Sequence, residues 1–226
     1  MSCLPGACCE ETRTPLPPGT KPILCYVTDR HAVPPGCTLL EAIRNAAGAG
    51  VDWIQIREKD LETRLLVGLV RDAINAAPGT NARILVNDRL DVALAAGAAG
   101  IHLGEMSLPV EALAEWRRSA GRAEFQIGVS CHSIDAAIAA ERGGADYIFF
   151  GPVFGTPSKA AFGPPQGIER LREACASVKI PVLAIGGVNL ENAPSCVAAG
   201  AAGIAAIRLF QEIPDVPATV GRLRGM

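Results

Sequence analysis

The chain has 226 residues, 49% of them apolar and 4% aromatic, and its 21 basic against 23 acidic side chains leave a formal net charge of −2. That length suits one α/β barrel, which takes ~250 residues, and the abundant Ala, Gly, Val and Ile suit a core made of helix–sheet contacts. Few aromatics leave little with which to stack single-stranded nucleic acid, and the balanced charge gives no general pull toward nucleic acid or an acidic membrane, so any anion site must be local.

Residues 1–20 are rich in Pro, Gly, Thr and Cys without periodicity and read as a flexible tail ahead of one barrel domain, residues 21–226. From residue 22 onward, strand-like runs alternate with stretches of helical spacing. The strands are expected at 23–28, 52–56, 84–86, 100–103, 124–129, 147–150, 182–185 and 203–207. The helices are expected at 39–47, 61–76, 88–96, 109–119, 134–142, 167–176 and 190–199, with a short helical tail at the end. Eight β-then-α units in a chain of this length predict a parallel eight-stranded TIM barrel, (β/α)8, because closure leaves no edge. The rival is a doubly wound open sheet, which a Gly-x-Gly-x-x-Gly turn after the first strand would favour; none is present. Ala95-Ala-Gly-Ala-Ala-Gly and Ala198-Ala-Gly-Ala-Ala-Gly repeat one helix-to-strand turn, with Gly relieving backbone strain.

Eight cysteines, including Cys8-Cys9 in the tail, show no paired Cys-x-x-Cys spacing, and several sit in apolar runs as small core residues. The N-terminus lacks the basic start and apolar run of a signal peptide, and no stretch of about 18 apolar residues occurs. A soluble, reduced, cytoplasmic protein is expected.

In a parallel α/β fold the residues just past the carboxyl ends of the strands face the site. Strand two runs from Trp53 straight into Arg57, Glu58, Lys59 and Asp60, either a solvated turn pairing with itself or two cations aimed at an anion. The other ends are chemically compatible with a site. They offer Gln55, Asn87 and Asp88, His102 and Glu105, Ser130 and His132, then a loop over 151–167 with Thr156, Ser158 and Lys159, then Gly186-Gly187, and last Arg208. A Gly pair after strand seven can let phosphate oxygens approach bare N–H groups, and Arg208 could add a bidentate contact. Arg57, Lys59 and Lys159 would serve a second anion, and Asp88 a divalent metal bridging its oxygens. Two anion sites in one mouth suggest a reaction between two phosphorylated substrates.

In order along 26–210, Gln55-Ile-Arg-Glu-Lys-Asp60, Val86-Asn-Asp-Arg89, Gly100-Ile-His-Leu-Gly104, Gly128-Val-Ser-Cys-His-Ser133, Gly151-Pro-Val-Phe-Gly-Thr-Pro-Ser-Lys159 and Ala184-Ile-Gly-Gly187 resemble the successive motifs of the thiamine phosphate synthase and thiazole tautomerase superfamily. The resemblance implies a transferase of thiamine biosynthesis that joins a pyrimidine-methyl diphosphate to a thiazole phosphate, with or without a ring carboxylate, giving thiamine phosphate and pyrophosphate. By resemblance, Gln55, Ile56, Arg57, Glu58, Lys59, Asn87, Ser130 and Lys159 would contact the pyrimidine diphosphate. Thr156, Pro157, Ser158, Gly187, Ile207 and Arg208 would lie on the thiazole phosphate side. Asp88 would bind Mg2+, with Arg57, Lys59 and Lys159 stabilising the departing diphosphate. No nucleic-acid or membrane partner is implied; such barrels often pair as homodimers, though no interface follows from the sequence.

The match departs from the family at three places. Ser107 stands where a second magnesium-binding Asp is expected, with Glu105 as the nearest substitute; Thr156-Pro-Ser-Lys159 alters a Thr-x-Thr-Lys pattern; and Arg208 replaces a Ser. These keep two alternatives open, a thiazole tautomerase using His132 as acid/base, and a non-catalytic barrel that binds phosphorylated ligands. His102 is expected to be a hydrogen-bonded packing residue and His31 a loop residue. Cys131 is expected to be a buried thiol facing away from His132, since adjacent strand residues point to opposite faces.

Overall fold

A computed structural model describes residues 21–104, 106–156 and 164–226. The tail expected over 1–20 lies outside them.

Eight parallel strands close into a barrel in the order of the chain, which is the expected TIM barrel. They are β1 (Ile23–Val27), β2 (Trp53–Ile56), β3 (Arg83–Asn87), β4 (Gly100–Leu103), β5 (Gln126–Cys131), β6 (Tyr147–Phe150), β7 (Val182–Ile185) and β8 (Gly203–Ala206). The ring closes where Ile23 of β1 pairs with Gly203 of β8. The first seven connections carry α1 (Leu39–Gly48), α2 (Thr63–Ala76), α3 (Leu90–Ala96), α4 (Val110–Ser119), α5 (Ile134–Arg142), α6 (Gly167–Ser177) and α7 (Ala193–Ala198). The expected terminal tail is two helices, α8 (Arg208–Gln211) and α9 (Val216–Arg224), and Arg224 ties α9 to the foot of β2 through Asp52 at 2.9 Å. Among the described residues no helix is long and apolar enough to cross a membrane.

Boundaries moved where polar side chains claim the backbone. Helix α1 starts as a capping box, Thr38 and Glu41 each bonding the other's N–H. Helix α7 was expected from residue 190 but begins at Ala193, because the Asn189 side chain accepts from the N–H groups of Glu191 and Asn192 and holds a turn there. Helix α3 was expected from residue 88 but begins at Leu90, since Asp88 has a φ of +67° and cannot belong to a right-handed helix.

Both copies of the Ala-Ala-Gly-Ala-Ala-Gly turn do the same work. The first glycine, Gly97 or Gly200, has a φ of +78° or +99° and ends its helix. The second, Gly100 or Gly203, opens a strand so close to its neighbour that a Cβ would lie 2.3 Å from the Gln126 carbonyl oxygen or 1.9 Å from that of Ile23.

Alternation along the strands divides the core. Outward residues such as Leu24, Ile54, Val86 and Ile148 pack under the helices, while Cys25, Trp53, Leu85, Tyr147, Phe149 and Leu183 fill the barrel itself. Trp53 and Tyr147 meet at 4.5 Å between ring centroids and plug the interior. Tyr147 fits because β5 offers Gly128 beneath it; a Cβ there would lie 2.1 Å from its Cζ. The floor is closed, so the open end lies above it, at the carboxyl ends of the strands.

Candidate active site

A cavity of about 540 Å³ opens at that end. From β2 to β5 its wall is made of inward side chains. Gln55 is buried and donates its amide to Asn87 Oδ1 at 2.9 Å, which leaves the Gln55 carbonyl oxygen as an acceptor and the Asn87 amide as a donor toward the cavity. Next to them His102 is buried on the face of Phe149, with 4.0 Å between centroids. Its Nδ1 meets the Tyr147 hydroxyl at 3.1 Å and its Nε2 meets Ser130 Oγ at 2.9 Å. Burial first, and the nearby Arg57 cation second, push its pKa down to about 3, so the ring is neutral. Burial also holds the Tyr147 hydroxyl well above its usual value, in the protonated form.

The charged run after β2 does not pair with itself. Glu58 is buried; it accepts from the Thr28 hydroxyl at 2.6 Å and from the Arg30 backbone N–H, and it pairs with the Arg30 guanidinium at 3.3 Å. Asp60 takes the same guanidinium through both oxygens and His31 at 3.2 Å. The Arg57 backbone N–H donates to Thr28 Oγ at 2.9 Å. Both acids are thus committed to the segment after β1, and the half-buried Arg57 is left to line the cavity with no ion pair to a described residue.

From β6 to β8 the wall is mainly backbone. The loop leaving β6 turns at a cis Gly151–Pro152 bond and lies along the end of β7, with Val153 N–H on Ile185 O and Phe154 N–H on Gly186 O, both at 2.9 Å. Gly186 and Gly187 have φ of +92° and +65°; a Cβ on Gly187 would stand 2.6 Å from the Gly155 carbonyl oxygen. Asn192 donates to Gly187 O at 2.9 Å, so that carbonyl is occupied. His132 lines the cavity, and its Nδ1–H donates to the Gly151 carbonyl. Thr156, Ile207 and Arg208 complete this side, and Arg208 is 59% exposed and paired with Glu212 at 3.3 Å.

Of the residues singled out in the sequence, the cavity therefore gathers Gln55, Arg57, Asn87, Ser130, His132, Thr156, Gly187, Ile207 and Arg208. Four do not line it. Ile56 points outward into the core under the helices, as strand alternation requires. Glu58 is spent on Thr28 and Arg30. Lys59 and Asp88 are exposed beyond the strand ends, where the alternation that aims Arg57 and Asn87 inward has lapsed. Glu105, Pro157, Ser158 and Lys159 lie outside the described residues. Ser107 closes its own turn, its Oγ accepting the Gly104 N–H at 2.6 Å. As expected, Cys131 is buried on the helix side, opposite His132.

The sequence reading missed the end of β1, where Val27 and Asp29 line the cavity and Thr28 and Arg30 hold the turn after β2. Thr-Asp-Arg directly after an apolar strand was the available signal. It also gave His102 only a packing role, although His102 lines the cavity.

A family model described as thiamine monophosphate synthase matches residues 24–210. A putative thiamine-phosphate synthase of Geobacter sulfurreducens is 47% identical over 192 residues, covering 85% of this chain and 88% of the relative. The thiamine-phosphate synthase of Methanocella arvoryzae is 39% identical over 201 residues, covering 89% and 93%. Among solved structures, thiamine phosphate pyrophosphorylase from Pyrococcus furiosus superposes with a TM-score of 0.79 at 35% identity, covering 92% of this chain and 96% of that one. With the motifs in order on successive strand ends of one barrel, this chain belongs to the thiamine monophosphate synthase family.

Proposed function

We propose that the chain is a transferase that couples a pyrimidine-methyl diphosphate with a thiazole phosphate to form thiamine phosphate and pyrophosphate. The observation that carries this reading is the division of one cavity into a wall of fixed polar side chains beside Arg57, which has no ion pair to a described residue, and a wall of closely packed backbone at Gly186 and Gly187. Gln55 and Asn87 present an acceptor and a donor that suit the edge of an aminopyrimidine, and Arg57, beside them in the cavity wall, would take the diphosphate. Gly187, Thr156, Ile207 and Arg208 would take the thiazole phosphate.

The C–O bond between the pyrimidine methylene and the diphosphate breaks with its electron pair going to the leaving oxygen. The thiazole nitrogen supplies the pair for the new C–N bond. Stabilising the departing negative charge is then the main catalytic task, which suits the Arg57 cation at the cavity; by resemblance Lys59 and Lys159 would join it. No general base is required, because a correctly held thiazole nitrogen is already a nucleophile.

The same reading takes Mg2+ as the metal, with the exposed Asp88 carboxylate as its ligand and Glu105 as a second. Among the described residues no group of three or more His, Cys, Asp or Glu could hold a metal, and the Ser107 hydroxyl is already engaged. One or two carboxylates suit magnesium, which keeps several waters and takes the rest of its ligands from substrate phosphates. Bound there, it would neutralise diphosphate charge.

Incubation with both substrates and magnesium, followed by oxidation to thiochrome, should give fluorescence far above a heat-killed control. A signal equal to the control would overturn the assignment.

A further inference from the structure

Tyr147, His102 and Ser130 form an unbranched chain of hydrogen bonds from the plugged floor of the barrel to the cavity, at 3.1 and 2.9 Å. We propose that His102 is a positioning residue, locked by Tyr147 in the tautomer protonated at Nε2, and that this makes Ser130 a hydrogen-bond donor toward a lone-pair acceptor on the bound substrate. The identity of that substrate, the pyrimidine diphosphate on the Gln55 side, rests on the function proposed above.

The direction of the chain follows from counting protons. A neutral imidazole has one N–H, and each hydroxyl has one O–H. The Tyr147 hydroxyl is fully buried, and its partner among the described residues is His102 Nδ1. Were Nδ1 protonated, it would donate to that hydroxyl and leave the hydroxyl's own proton buried with nothing to accept it, an arrangement folded proteins avoid. Tyr147 therefore donates to a bare Nδ1, the single imidazole proton sits on Nε2, and Nε2–H donates to Ser130 Oγ. With that proton arriving, Ser130 turns its own hydrogen elsewhere, and Ser130 lines the cavity. The same count excludes an imidazolium, which would also bring a proton to Nδ1 against the Tyr147 hydroxyl. Gly128, two residues before Ser130, admits the Tyr147 ring, so one short strand supplies both the room for the start of the chain and the hydroxyl at its end.

The consequence is chemical selectivity. A ring nitrogen or phosphate oxygen is received at Ser130 by its O–H, while a substrate N–H in the same place would find one of the two Oγ lone pairs already taken by His102.

Two measurements on the full chain decide it. The three histidines make nitrogen-15 spectra tractable, and in the wild type the His102 pattern should be that of an Nε2-protonated ring, with the preference lost in Tyr147→Phe. An Nδ1-protonated His102 would overturn the proposal. In turnover, Tyr147→Phe, which keeps the ring that fills the floor, should lower kcat/KM for the pyrimidine diphosphate about tenfold, as should Ser130→Ala. The double variant should be no worse than Ser130→Ala alone, because Tyr147 acts through Ser130; losses that multiply would mean that Tyr147 acts through packing and would overturn the chain. If the wild type turned nothing over, the proposed function would fall, while the tautomer would still decide this inference.

Discussion

The two halves of the cavity are built from different material. Between β2 and β5 the wall consists of side chains that hold one another, Gln55 on Asn87 and His102 on Ser130, with Arg57 beside them. Between β6 and β8 it is largely backbone, the loop after β6 lying against the Gly186-Gly187 turn. The first kind of wall selects a ligand by the pattern of donors and acceptors, and it loses function when single atoms are removed. The second selects by close approach and loses function when atoms are added. For the proposed coupling of two different phosphorylated molecules, this asymmetry would let each substrate fit one wall and not the other.

The comparison breaks most sharply at Arg57. It is the cation lining the side-chain wall, and its acidic neighbours are committed elsewhere. Arg57→Ala should lower kcat by about 10²–10³ with little change in melting temperature, since it removes charge stabilisation for the leaving group. A loss below tenfold in single-turnover measurements would place the departing diphosphate elsewhere. On the backbone wall the matching test adds a methyl group. Gly187→Ala would set a Cβ 2.6 Å from the Gly155 oxygen at a φ of +65°, so we expect about 1–3 kcal/mol of destabilisation and a rise in KM for the thiazole phosphate. A rise confined to the pyrimidine diphosphate would reverse the assignment of the two walls.

His102 gives a test by pH. Its pKa in the folded protein, about 3, lies below its unfolded value near 6.5. As pH falls through that window the unfolded chain takes up a proton that the folded chain refuses, so stability is whole above about pH 6.5 and is lost at up to about 1.4 kcal/mol per unit below it. Denaturation of the wild type and of His102→Gln at pH 7, 6 and 5 should diverge, the wild type losing more. Parallel curves would show His102 to be accessible to protons in the folded state.

The barrel was legible because its signal is repeated eight times, and strands buried on both faces are hard to mistake between helices. The side-chain wall was legible as far as the strands run, because period two fixes which residues point inward: Gln55, Asn87, Ser130 and His132 follow from it. Past the last strand residue the rule lapses. Extending it from Arg57 to Lys59 would aim both cations inward, yet Glu58 is pulled into the fold by Thr28 and Arg30, and Lys59 is exposed. The roles of Tyr147 and Gly128 could not be read at all, because they depend on a ring from one strand lying over a gap in the next. The backbone wall announced itself only by its glycines.

The smallest effect concerns that lapse. Arg30 joins both acids of the turn after β2 to the segment after β1, and the Arg57 backbone hangs from Thr28 in the same cluster. Arg30 itself does not line the cavity, so it should influence turnover only by restraining the turn that carries Arg57 and Lys59. Removing it leaves Asp60 its contact with His31 and frees part of Glu58, and a loosened carboxylate next to Lys59 or Arg57 in the chain can compete with the diphosphate for the cations. Arg30→Ala should therefore lower kcat by about tenfold or less, and Arg30→Lys, which can hold one acid and not both, should recover part of it. Replacing Asp60 by Asn in the Arg30→Ala background should also recover activity, because it removes the competing charge. If the double variant is worse than Arg30→Ala alone, the acids contribute to the reaction directly rather than through the restraint on their cationic neighbours.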